Sequence, residues 1–369
     1  MNLSCRAWVV LLSVSCVSLP GFAQQPTTPT PLTGQLQPAR PSDTANRLVL
    51  DVVVTDRSGK AVKELAEKDF AVLIDGHPQK VLSFQAVEAG NVPANPQPAG
   101  PPPVKIILLV DEVNTNFQRV AYERDQIKMF LQQNGGVLAH PMSMAFLSDT
   151  GAEVQETTSR DGNALLATFD QHETALRSIR RSEGFYGAVE RYQLSLNALQ
   201  GLVAKEAHTP GRKVVVWLSP GWPIFSGPQL DLTTKDRTKL FASIVSISTA
   251  MREARMTLYS VDPNGAGTGI GTQLTIYPEF LKPVKAAKNA QPGNLALEVL
   301  ATQSGGLVLS PSNDIAALIT SCVADTDVYY TLSVELAPAD PPNTYHAIDV
   351  KVETPGLTAR TRTGYYAQP

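Results

Sequence analysis

The sequence predicts an α/β domain with a mostly parallel sheet and helices on both faces, inserted into a β-sandwich formed by the N- and C-terminal strands. Three observations support this fold class. The apolar run 106–110 is unbroken, which is typical of a parallel strand covered on both faces. Strand and helix patterns then alternate up to residue 325. Three strand patterns lie on each side of that region, too few on either side to form a domain alone.

The first 45 residues have the patterns of an export signal and a spacer. Arg6 precedes an apolar run at 7–19, and small residues lead up to Ala23, so residues 1–23 are expected to be a secretory signal peptide cleaved after Ala23. Residues 24–45 are rich in Pro, Thr and Gln, which predicts a flexible linker. An uncut membrane anchor and a lipid-modified Cys16 are the alternatives. We expect a secreted or periplasmic protein without a membrane span once the signal is removed.

Charge and cysteine content narrow the function classes further. The formal net charge of the 369 residues is −3 without a basic block, so we expect no nucleic-acid partner. Removal of the signal leaves Cys322 alone, and one cysteine makes no internal disulfide. Because Cys322 lies in an apolar helical pattern, we expect a buried, unreactive thiol and a fold stabilised by its core.

The two flanks, 46–88 and 326–369, are expected to be the two parts of the β-sandwich. Their β-branched runs are separated by turn signals and predict strands at 48–56, 69–75, 81–85, 328–336, 347–353 and 358–366. Since neither flank is large enough alone, we expect the two flanks to pair with each other. A Pro-, Gly- and Ala-rich linker at 89–103 follows the first flank.

The region 104–325 is expected to be the α/β body. Apolar runs and helical periodicity predict strands at 104–110, 143–147, 152–156, 213–218, 256–261 and 306–309. The same criteria predict helices at 117–133, 162–172, 187–205, 235–254, 295–303 and 315–323. Repeated strand-helix units with connections of this length predict a mostly parallel sheet.

Asp111 is the first candidate site residue, because it ends the buried strand 104–110 and opens a polar loop. In open α/β sheets, ligands bind outside the carboxyl edge of the strands. A second buried strand, 213–218, ends in a loop that begins Ser219-Pro220-Gly221. The sequence therefore predicts a binding site at the edge where these two strands end.

A strand ending at Asp111, a polar loop, a long helix and a second strand ending at Ser219-Pro220-Gly221 resemble the von Willebrand factor type A domain. Within that superfamily the chain resembles the secreted von Willebrand factor A-related proteins of acidobacteria. The flanks carry part of the resemblance, in Asp69-Phe70, in 75–79 and in the ending Gly364-Tyr365-Tyr366-Ala367. The similarity covers roughly residues 46 to 367, and its motifs have middling specificity because strand-Asp-loop-helix also occurs in other folds.

The resemblance implies a metal-ion-dependent adhesion site, in which loop oxygens hold a divalent ion. Asp111 matches the first aspartate and Thr115 the second hydroxyl, and Ser182 (or its neighbour Glu183) falls near the expected threonine. Val113 stands where the first serine is expected, and Pro220 where an aspartate is expected. Arg180 and Arg181 would oppose a cation. We therefore expect a degenerate site with no cofactor or weakly bound Mg²⁺ or Mn²⁺; alternatively, Asp111 caps the helix that starts near Asn116.

The sequence thus predicts an exported, non-enzymatic module that binds a protein or cell-surface ligand. Its binding rim is expected to contain Asp111, Glu112, Asn114, Thr115, Asn116 and Trp222. Trp222 is either an exposed anchor for a partner or a residue folded back over the helices. Two other functions are open: a structural scaffold of an envelope complex, and a hydrolase with Ser219 as nucleophile.

Overall fold

A computed structural model describes residues 47–88, 104–115, 117–175, 184–225, 232–264, 276–336 and 341–368, all of which belong to one unit, Ser42–Pro369. The expected signal peptide and linker, Asn116 and Ser182 lie outside the described residues. The strands are β1 Arg47–Thr55, β2 Phe70–Ile74, β3 His77–Gln79, β4 Val81–Glu88, β5 Lys105–Asp111, β6 Val137–Ser148, β7 Gly151–Val154, β8 Ser159–Asp161, β9 Lys213–Leu218, β10 Met256–Val261, β11 Val308–Leu309, β12 Val328–Glu335, β13 Tyr345–Val352, β14 Thr358–Arg360 and β15 Gly364–Tyr366. The helices are α1 Phe117–Leu131, α2 Gly162–Ala175, α3 Gly184–Glu206, α4 Thr234–Glu253, α5 Leu297–Gln303 and α6 Ile315–Ala324.

The central sheet has the strand order β11-β10-β9-β5-β6-β7, with β8 also paired to β6. Strands β11, β10, β9, β5 and β6 are parallel, whereas β7 and β8 are antiparallel to β6. The fold is therefore mixed α/β around a mainly parallel sheet. Strand β6 begins earlier than the sequence pattern predicts, because its first residues pair with β8, a strand that the periodicity did not predict.

Helices cover both faces of this sheet, which explains the unbroken apolar strands. Ile107 and Leu109 of β5 pack with α3 and α4 on one face. Ile106, Leu108 and Val110 pack with α1, α2 and α6 on the other. Burial of alternate residues in two different cores leaves no polar position inside the strand.

The N- and C-terminal flanks form two four-stranded antiparallel sheets, ordered β14-β1-β12-β4 and β15-β13-β2-β3. Each sheet contains strands from both flanks. One shared apolar core lies between them, in which Phe70 of β2 meets Tyr330 of β12 with ring centroids 5.0 Å apart. The two flanks thus complete each other, because neither contributes enough strands to cover this core.

One strand pattern, 358–366, is divided in the structure. β14 pairs with β1 in one sheet, and β15 pairs with β13 in the other, so residues 361–363 cross between the sheets. The crossing packs against the α/β body: the Thr363 amide donates to the Gln303 carbonyl at 3.1 Å. A side chain on Gly305 (φ 90°) would place its Cβ 2.6 Å from the Thr361 carbonyl carbon.

Candidate binding site at the carboxyl edge of the sheet

Asp111 lies at the point where the sheet changes direction. From β5 the chain continues to β6 on one side and later returns to β9 on the other side of β5. Asp111 ends β5, and Ser219 directly follows β9, so the two residues flank this switch point. Crevices of this kind are where ligands bind in open α/β sheets.

The carboxylate of Asp111 is completely buried and accepts hydrogen bonds from four N–H groups. Its Oδ1 accepts from the amides of Val113 and Asn114 at 3.0 and 2.9 Å. Its Oδ2 accepts from Asn114 Nδ2 at 2.8 Å and from the indole Nε1 of Trp217 at 3.1 Å. Burial raises the pKa of Asp111, and hydrogen bonds from Asn114, Ser219 and Trp217 oppose that rise.

Asp111 was considered as a cap of the helix that starts near Asn116, but its hydrogen bonds go to the preceding loop. Asp111 bonds the loop amides of Val113 and Asn114, ahead of α1, which begins at Phe117. The carboxylate therefore orders the loop rather than the first helical turn. Asn114 extends this order to α3, because its Nδ2 also donates to Ser195 Oγ at 2.9 Å.

The side chains of the Asp111 loop do not fit the ligand set of a divalent ion. Such an ion takes about six or more oxygen ligands, whereas both oxygens of Asp111 already accept N–H bonds. The Val113 side chain is buried and carries no oxygen, which leaves the side-chain oxygens of Glu112, Asn114 and Thr115 as the other candidate ligands in the described part of this loop. In the described part of the chain, no group of three His, Cys, Asp or Glu side chains could hold a metal.

Several residues expected on the rim lie beneath the surface. Asp111 and Thr115 are buried, and Trp222 is 0% exposed. The chain turns at Gly221 (φ 94°), and the Trp222 ring packs edge-on against Trp217 with centroids 5.1 Å apart. Of the two roles expected for Trp222, an exposed anchor is therefore wrong, and the structure agrees with the other, because the ring is folded back into the core above the sheet.

Glu112 and Asn114 remain partly accessible. The Glu112 carboxylate lies 3.2 Å from His172 of α2. The His172 ring stacks on Phe146 of β6 with centroids 3.7 Å apart. The Asp111 loop is therefore joined to α2 on one side and to α3 on the other.

Three exposed apolar side chains and one half-exposed ring, which we together call the aromatic patch, are those of Phe185, Tyr186, Val189 and Phe225. The first three are 63%, 85% and 40% exposed in the first turns of α3. Phe225 follows β9, and its ring lies 5.6 Å from that of Phe185. The sequence predicted this helix from residue 187 and so left Phe185 and Tyr186 out; their adjacency to Phe225 depends on the tertiary fold.

Glu298 of α5 is a second buried carboxyl group that sequence reasoning missed. It is 2% exposed, and its Oε2 has no hydrogen-bond partner among the described residues. Burial, followed by the charge of Asp262, raises its pKa to about 7. Asp262 directly follows β10, whose neighbour in the sheet is β9. The sequence signal was a single acid within the apolar run 295–300.

Ser219, the expected nucleophile of a hydrolase, is completely buried. Its hydroxyl hydrogen-bonds Asp111 and accepts from the Gly221 amide at 3.2 Å. These bonds hold the loop after β9 against the loop after β5.

Among the described residues, no helix is long and apolar enough to cross a membrane.

No family model matches the chain, and no curated protein matches it. Among solved structures, human COPII-coat protein Sec24c aligns with 72% of this chain and 44% of its own, at 10% identity and a TM-score of 0.31. A mutant of the PilB minor pilin from Streptococcus sanguinis aligns with 62% of this chain and 63% of its own, at 11% identity and 0.33. The pilus adhesin SpaC from Lactobacillus rhamnosus GG aligns with 83% of this chain and 49% of its own, at 10% identity and a TM-score of 0.34. The chain thus spans 44 to 63% of these proteins, and TM-scores of this size carry no functional argument.

Proposed function

We propose that this chain is an exported, non-enzymatic module that binds a protein ligand at the carboxyl edge of its α/β sheet. The aromatic patch is the observation that carries the proposal. Solvent-exposed aromatic clusters are unfavourable unless a partner covers them, and aromatic side chains dominate the affinity of protein interfaces. Export rests on the sequence pattern of residues 1–23.

The position of the patch supports this function. Glu206, the last residue of α3, pairs with Lys105 at the first residue of β5, with 2.6 Å between Nζ and Oε1. The end of α3 therefore lies at the amino edge of the sheet, and its exposed first turns lie toward the carboxyl edge. The bond from Asn114 to Ser195 holds the same helix to the Asp111 loop. This bond fixes the helix that carries the patch relative to the loop, which favours a preorganised binding surface.

We further propose that the body is a variant of the von Willebrand factor type A domain whose binding needs no metal. The strand order and the place of Asp111 support this relation. In the variant, the indole of Trp217 and the amide of Asn114 satisfy the carboxylate that an ion would otherwise engage. Mg²⁺ or Mn²⁺ would have to displace these N–H groups, so we expect no cofactor or weak binding.

A selected peptide ligand tests the proposal. A random peptide library displayed on phage is selected against the chain from Gln24 onward, and binding of the recovered peptides is measured by interferometry. We expect the double variant Phe185→Ala, Tyr186→Ala to weaken binding about 10-fold or more. EDTA should leave the affinity unchanged.

The matched control is the double variant Met129→Ala, Val137→Ala. It removes two exposed apolar side chains, 57% and 68% exposed, from the end of α1 and the start of β6. Equal loss in both double variants would contradict a site at the patch. Binding that is abolished by EDTA and restored by Mg²⁺ would favour a metal-dependent adhesion site instead.

A scaffold role is the second candidate, favoured by an apolar groove of about 290 Å³ between α3 and α4. Its apolar lining consists of Leu199, Val203, Ala204, Ala207, Ile247 and Ala250. Assembly through this groove predicts that Ala250→Glu blocks association while peptide binding at the patch persists.

A hydrolase is the least favoured function, since Ser219 is buried and bonded to Asp111. Esterase and peptidase screens without activity would exclude this function.

A further inference from the structure

A small polar cavity lies where the crossing between the two sandwich sheets meets the α/β body. Its volume is about 20 Å³, and its lining includes Arg252 of α4, Arg255 before β10, Arg362 of the crossing and Asp51 of β1. Three arginines and one aspartate thus contribute to the lining of a space that is large enough for a single small ion or water.

The acids at this cavity are already paired. Arg255 Nε donates to Asp51 Oδ2 at 3.1 Å, and Thr331 Oγ1 donates to Asp51 Oδ1 at 3.0 Å. Arg252 Nη2 pairs with Glu253, whose side chain is 62% exposed and is therefore well screened by water. Arg362 has no carboxylate partner among the described residues, so the cluster carries an excess of positive charge.

Two buried N–H groups on arginines that line the cavity have no acceptor among the described residues. Arg362 is 9% exposed, and its Nη1 has no hydrogen-bond partner among the described residues. The buried Nε of Arg252 also has none. Burial, followed by the nearby charge of Arg252, lowers the pKa of Arg362 to about 10, and the charge of Asp51 partly opposes this shift.

Water in the cavity would accept a hydrogen bond but would leave the charge unbalanced, whereas an anion does both. The cavity volume excludes bulky ligands. We infer that the cavity between Arg252 and Arg362 is an anion site for a chloride-sized inorganic ion. The ion joins the last turn of α4 to the strand crossing at Arg362, so it stabilises the contact between the sandwich and the α/β body.

Thermal unfolding in sodium salts tests this site. The melting temperature is measured in chloride, bromide and gluconate at equal ionic strength, with gluconate too large for the cavity. We expect chloride and bromide to raise Tm by about 2–4 °C over gluconate and to saturate with concentration. Arg362→Met should abolish the difference, and Arg160→Met, which changes an exposed arginine of β8, should retain it.

A second measurement does not depend on folding of the Arg362 variant. Crystals of the unaltered protein grown in bromide should show an anomalous peak between Arg252 and Arg362. Equal Tm values in chloride and gluconate, or a cavity without an anomalous peak, would overturn the anion site and leave water as the occupant. A halide effect that Arg160→Met removes as completely as Arg362→Met would also overturn it.

Discussion

Asp111 and Glu298 are both buried acids near the carboxyl edge of the same sheet, yet their surroundings differ. Asp111 accepts four N–H bonds from its own loop and from Trp217. Glu298 has one oxygen without a partner among the described residues, and its neighbour Asp262 carries the same charge. A buried acid thus orders the surrounding structure where several donors bind it, and it lowers stability where donors are lacking.

The largest expected effect comes from removing the Asp111 carboxylate. Asp111→Ala leaves buried N–H groups of Trp217, Val113 and Asn114 without an acceptor. We expect a loss of about 3–5 kcal/mol in the free energy of unfolding, measured in urea. Asp111→Asn should lose at least half as much, because its amide donors face other donors. If the Asn variant were as stable as the unaltered protein, the N–H bonds accepted by the Asp111 carboxylate would not be what stabilises this loop.

Removal of the Glu298 carboxylate should stabilise the protein, whereas removal of the Asp111 carboxylate should destabilise it. Its folded pKa of about 7 lies above the ordinary value of 4.5, so the folded state binds more protons between these values. Stability therefore falls as pH rises through that window. We expect Glu298→Gln to stabilise the protein by about 3 kcal/mol at pH 8 and by little at pH 5.

Urea unfolding at both pH values measures this effect. Glu353→Gln, at an exposed acid for which no stabilisation is expected, is the matched control. A stabilisation that is the same at pH 5 and pH 8 would show that the Glu298 carboxyl does not titrate in this window.

Asp262→Asn should have the smallest effect. The charge of Asp262 adds to the burial that raises the pKa of Glu298, so its removal should lower that pKa, but by less than the amount that burial raises it. The midpoint of the pH-dependent stability then moves toward acid, as measured by the same unfolding series. Asp349→Asn, whose side chain is 60% exposed, should leave the midpoint in place. If Asp262→Asn left the midpoint unchanged, the charge of Asp262 would not contribute to the raised pKa of Glu298.

The aromatic patch and the Asp111 loop illustrate the limits of sequence periodicity at the site. Apolar runs identified Asp111 as the end of a buried strand, since strand burial depends on local pattern. Trp222 and Phe225 lie three residues apart in one loop, yet the first is buried and the second is half-exposed beside Phe185. Which aromatic faces solvent depends on the turn at Gly221 and on α3, and neither is encoded in hydrophobicity alone.

Short-range periodicity was enough to predict most strands and helices, the mixed α/β class and the position of Asp111 at a strand end, but it missed β8 and the division of residues 358–366 between two sheets. Tertiary structure alone decided the environment of each polar group. It aimed Trp217 at Asp111, left Glu298 short of donors, and brought Arg252 and Arg362 to one cavity across 110 residues of chain. Hydrogen bonds and charges act over a few ångströms in space, so their partners are set by packing rather than by spacing along the chain.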